Sequence, residues 1–122
     1  MLDNVWYTEV LTPGVDDKQP CLYEWRIEGV GVYIGQCENI KRPRSQFGGT
    51  LFDLLNRLQY GKSQRDASQR FHQELRKALG IHAITLTLLE NVRDKSRRNQ
   101  REREVMEDRR KAALQGGLPV LN

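Results

Sequence analysis

The chain reads as a small α+β domain: a three-stranded, mostly antiparallel sheet flanked by helices, with room for an extra N-terminal strand. Three observations predict it. Residues 21–36 hold two β-rich runs on either side of Glu28-Gly29-Val30. Residues 82–90 form a later run rich in Ile, Thr and Leu. The stretches between and after these strands carry apolar residues at helical spacing. The order hairpin, helices, strand, helix belongs to an α+β arrangement, not to a doubly wound sheet.

The elements follow in chain order. Residues 5–10 (VWYTEV) are β-prone and stop at Pro13-Gly14 and Asp16-Asp17, so this segment is an edge strand or an arm. The hairpin comes next, and its register depends on the loop. Centring on Glu28 sets Tyr23 opposite Tyr33, and centring on Gly29 keeps odd positions on one face. A two-residue Glu28-Gly29 turn would send the two tyrosines to opposite faces. Asn39 and Pro43 then frame the basic stretch Lys41-Arg42-Pro43-Arg44, and Gly48-Gly49 breaks the chain. Between Thr50 and Tyr60, Leu51, Leu54, Leu55 and Leu58 follow the i, i+3, i+4, i+7 pattern of an amphipathic helix, with Thr50 as N-cap. A second helix starts near Ser68, with Phe71, Leu75, Ala78 and Leu79 on one stripe and Gly80 as its stop. A third strand follows, then a charged helix over about residues 95–115, closed by Gly116-Gly117.

At 122 residues, with 38% hydrophobic and 30% charged positions, the chain can bury one modest core. We therefore expect a single domain over 1–122, with 1–19 an N-terminal arm or edge strand and 20–122 the core. No run approaches the length of a membrane span, and the start shows neither a secretory h-region nor an Arg-rich transit pattern, which points to a cytoplasmic protein. Lys and Arg number 20 against 16 Asp and Glu. That excess suits phosphate-rich partners without requiring them. Cys21 and Cys37 lack a CxxC or a Cys/His cluster, so they read as two packed thiols, with little support for zinc or dithiol chemistry.

The charged helix contains one unusual carboxylate. Counting from Val105 at roughly 100° per residue, Met106, Ala112 and Ala113 define a stripe centred at about 40°. Glu102 falls inside it at about 60°, whereas Glu104 and Glu107 fall on the solvent side at roughly 260° and roughly 200°. Arg98 and Arg109 share the inward face. Glu102 is thus half of a buried ion pair with one of them, or a metal-ligating carboxylate.

Tyr33-Ile34-Gly35 on the second hairpin strand is an intact YIG tripeptide. Cys21-Leu22-Tyr23 stands upstream where a GIY tripeptide would be. Arginines follow YIG, then a third strand, a helix with Glu102 ahead of Val105 and Met106, and Leu121-Asn122. In order and spacing these five elements resemble the GIY-YIG nuclease family over residues 20–122. The resemblance implies divalent-metal-dependent hydrolysis of nucleic-acid phosphodiesters, DNA ahead of RNA. It assigns Glu102 as ligand of one Mg²⁺ or Mn²⁺ ion, which takes oxygen donors and keeps waters. Tyr23 becomes the candidate for activating water, assisted by Tyr33, with His72 as a further candidate. The family's arginine spacing falls on Pro43, so that role goes to Arg42, with Arg44 as its substitute. Gly35 would admit a close approach by backbone or phosphate, Lys41, Arg42, Arg44, Lys62, Arg65 and Arg70 would grip phosphates, and Asn122 would support the site. No appended reading motif is present, so specificity is weak, structure-based, or supplied by a homodimer or a partner protein. The alternative is a catalytically inactive nucleic-acid-binding module on the same scaffold.

Overall fold

A computed structural model describes residues 7–41, 43 and 66–122, apart from the side chains of residues 66–69, 72 and 76. The described elements are β1 (Thr8–Leu11), β2 (Cys21–Ile27), β3 (Gly31–Cys37), α1 (Asp66–Ala78), β4 (Ile84–Asn91) and α2 (Lys95–Leu114). The helix expected at Thr50–Tyr60 lies outside the described residues.

The hairpin turns on Glu28-Gly29-Val30. Gly29 takes φ 77°, which a glycine adopts without steric cost. The Val30 N–H donates to the Ile27 carbonyl at 2.9 Å. This is the Gly29-centred register, so Tyr23 stands opposite Gly35 and Trp25 opposite Tyr33. Odd positions of both strands consequently share one face.

β2 is the middle strand of an antiparallel trio, with β3 on one side and β4 on the other. The extra N-terminal strand is present and makes the sheet four-stranded and mixed: the order is β1-β4-β2-β3, and β1 runs parallel to β4, from Thr8↔Thr85 to Leu11↔Leu88. Pairing with β4 follows from the route of the 12–20 loop, which passes the end of β4. There the Asn91 side-chain amide donates to the carbonyls of Asp16 and Pro20, and its oxygen accepts the Asp16 N–H at 2.7 Å. Just before β1, Tyr7 meets the Trp25 ring edge-on, with centroids 4.9 Å apart.

A helix covers each face of the sheet. On the odd face, Cys21, Tyr23, Trp25 and Ile27 join Ile84, Leu86 and Leu88 of β4 against Phe71, Leu75 and Ala78 of α1. On the other face, Leu22 and Ile34 pack with Val105, backed by Leu89 and Met106. Cover on both faces explains why β2 is buried almost continuously, including its charged Glu24. α2 starts at Asp94, whose carboxylate accepts the Arg97 N–H at 2.9 Å, and ends at Gly116 with φ 97°.

The C-terminal segment then returns to β3. Val120 bridges Val32 in parallel, the Leu121 N–H donates to the Val32 carbonyl at 2.7 Å, and Leu121 is buried over Gly31. Among the described residues, no helix is long and apolar enough to cross a membrane.

Candidate active site

The two tyrosines owe their common face to the hairpin register. Tyr23 is buried and its ring lies across Gly35, where an added Cβ would stand 2.5 Å from its Oη and Cζ atoms. The group that approaches Gly35 in the fold is the Tyr23 ring. Tyr33 is half-buried, and its ring packs on Phe71 of α1 with centroids 4.9 Å apart.

Glu102 is half-buried on α2 and faces inward as its helical phase requires, while Glu104 and Glu107 are exposed. The ion-pair alternative for Glu102 is corrected. Arg98 is 2% exposed, and its Nε donates to Gln36 Oε1 at 2.6 Å. One terminal nitrogen of Arg98 donates to the Val92 and Arg93 carbonyls, both at 3.0 Å, and the other stands 3.6 Å from Glu38. Arg109 goes to Glu24, Nε to Oε2 at 2.8 Å. Among the described residues no lysine or arginine forms an ion pair with Glu102. Burial raises its pKa above the usual carboxylate value, opposed by the Gln36 amide and the charge of Arg103.

Gln36 links these groups. Its oxygen accepts from Arg98, which directs its amide N–H groups toward Asn99 and Glu102. Gln36 also lies on the opposite face of β3 from Tyr33. The structure thus gathers Tyr23, Tyr33 and Gly35 toward α1 and Glu102 with Gln36 toward α2, and does not bring the tyrosines and Glu102 to one face. At the edge of β3 between them, Asn122 is fastened to Ile34: its oxygen accepts the Ile34 N–H at 3.2 Å and its amide donates to the Ile34 carbonyl at 2.6 Å. Its contact is structural support of the YIG strand.

Lys41 and Arg70 are exposed. Arg42, Arg44, Lys62 and Arg65 lie outside the described residues, as does the side chain of His72, whose backbone belongs to α1. A groove of about 920 Å³ runs along the start of α2, where Arg93, Arg97 and Arg101 are balanced by Glu90, Asp94 and Glu104. That charge balance gives it no preference for a polyanion.

Among the described residues no three His, Cys, Asp or Glu side chains converge as a metal-binding group. The donor at hand is the Glu102 carboxylate. It offers hard oxygens, and as a desolvated anion with no ion-pair partner among the described residues it suits a hydrated Mg²⁺ or Mn²⁺. Sequence reasoning passed over Gln36 and Arg98 as a unit. The signal for it was Gln36 directly after YIG and Arg98 on the inward stripe. It also passed over the meeting of Cys21 and Cys37, which the Gly29-centred register implies.

No family model matches the chain, and no curated protein or solved structure shows significant similarity to it.

Proposed function

We propose that the protein is a divalent-metal-dependent endonuclease acting on nucleic-acid phosphodiesters, DNA ahead of RNA, in a cytoplasmic setting. The observation that carries this reading is Glu102: an inward, half-buried carboxylate beside the YIG strand, with no ion-pair partner among the described residues. Glu102 would hold the ion, and the bound cation would supply polarisation of the scissile phosphate and stabilisation of the leaving oxygen. In this reading Tyr23 and Tyr33, set on the other face of β3 from Glu102, would orient water and accept its proton, Arg42 or Arg44 would offset phosphate charge, and Lys41, Lys62, Arg65 and Arg70 would hold the backbone of the nucleic acid. His72 is the further proton acceptor in this proposal. A homodimer or a partner protein supplies specificity.

A second reading, an inactive nucleic-acid-binding module, is favoured by the division of the tyrosines and Glu102 between the two faces of β3. Nicking of supercoiled plasmid in Mg²⁺ or Mn²⁺ separates the two. The nuclease reading expects cleavage by the wild type, binding without cleavage by Glu102→Ala, and a loss on the order of a hundredfold or more for Tyr23→Phe. Equal cleavage by wild type and Glu102→Ala removes Glu102 from the metal role. Salt-sensitive binding with no cleavage by the wild type selects the second reading.

A further inference from the structure

Sixteen positions separate Cys21 from Cys37 in sequence, yet they are direct partners at the far end of the β2–β3 ladder. Opposed residues of an antiparallel pair have Cα atoms roughly 4.5–5.5 Å apart, inside the range a disulfide spans. Their sulfurs are already 3.6 Å apart and both residues are reduced. Bond formation therefore needs side-chain adjustment and no new strand pairing. Both thiols are buried, but Cys37 is the last residue of β3, where the chain passes into exposed Glu38 and Asn39. That strand end is where fraying admits a small reagent.

We propose that Cys21 and Cys37 form a dithiol that low-molecular-weight disulfides oxidise in the folded protein, a modification site independent of the nuclease reading. The two sulfurs are not equivalent. The Cys21 S–H, backbone N–H groups and the charge of Arg98 favour thiolate on Cys37, while the same hydrogen bond and burial hold the proton on Cys21. Cys37 attacks first. Its sulfur bonds to one sulfur of the incoming disulfide, whose S–S bond breaks and whose other half leaves as thiolate. Cys21 then gives its proton to solvent and attacks Cys37 Sγ, expelling the second thiolate. Two protein thiols are oxidised by two electrons, and one small disulfide is reduced to two thiols. The product ties β2 to β3 two positions from the Tyr23–Gly35 contact.

The test exposes native protein to oxidised glutathione, alkylates remaining thiols and weighs the intact chain. The proposal expects a mass lower by about 2 Da, no alkylation and reversal by dithiothreitol. It also expects a melting temperature higher by on the order of 10 °C. Cys21→Ser should instead accumulate a glutathione adduct on Cys37, because the resolving sulfur is gone. Two alkylatable thiols in native wild type, under conditions that oxidise the urea-unfolded chain, overturn the proposal. Stable adducts without the intramolecular bond do the same.

Discussion

At the scale of single residues, Glu102 shows what an inward carboxylate costs in stability. Its pKa in the fold lies above the ordinary 4.5, because burial penalises the charged form more than Gln36 and Arg103 compensate. The native state therefore binds more protons than the unfolded chain between the ordinary and the raised value. Stability falls as pH rises through that window, and the cost persists at neutral pH. In metal-free protein, Glu102→Gln should melt at a higher temperature than wild type at neutral pH, and the gap should close below about pH 4. Thermal melts at the two pH values check this, and a lower melting temperature for the variant at neutral pH would contradict it. The helical phase made the orientation of Glu102 legible from sequence. It could not reveal the partners of Arg98, because that guanidinium is satisfied by Val92 and Arg93 carbonyls left at the β4–α2 junction, and backbone acceptors have no sequence signature.

At the scale of elements, α2 is attached to the sheet by charge as well as by a small apolar contact. Val105 is its buried apolar residue, and Arg109 reaches Glu24, which is 7% exposed on the middle strand. Removing the arginine leaves a buried carboxylate uncompensated. Arg109→Ala should cost about 3 kcal/mol, near the low end for broken buried pairs because Arg109 is itself partly solvated. The double change Glu24→Leu with Arg109→Leu should recover most of that loss, since an apolar pair of similar volume substitutes well for a buried ion pair. Urea titrations of the single and double variants decide it, and equal losses would count against the argument. The strands and described helices were readable to within a few residues from their alternation or helical spacing and, for the charged α2, from its helix-favouring composition and the Gly116-Gly117 stop. Hairpin register and the parallel partner of β1 were not. Glu28-Gly29-Val30 permits several loops, and the alternation in VWYTEV does not name a neighbour.

At the scale of the whole molecule, the sheet is closed by segments near opposite ends of the chain. β1 covers one edge, while Pro119, Val120, Leu121 and Asn122 cover the other at β3. Deleting residues 119–122 should remove about 2 kcal/mol of Leu121 burial and reopen the N–H and C=O groups of Val32 and Ile34. The urea midpoint should drop, and gel filtration should show concentration-dependent self-association through the bared strand. Unchanged stability with a monomeric profile would show that the tail contributes neither. This closure had no local signal beyond Leu121-Asn122, since a tail that pairs in parallel with a distant strand looks like any short apolar terminus.

The parallel pairing of β1 also bears on the order in which the fold assembles. The ribosome makes Thr8–Leu11 before its partner Thr85–Leu88, which emerges more than seventy residues later. The β2–β3 hairpin can form from nearby residues at once, while β1 must wait and pay a long loop closure. Until β4 arrives, the segment before the hairpin is an exposed β-prone stretch. A nascent or proteolytically shortened chain lacking β4 would therefore display that stretch to whatever strand or chaperone meets it first.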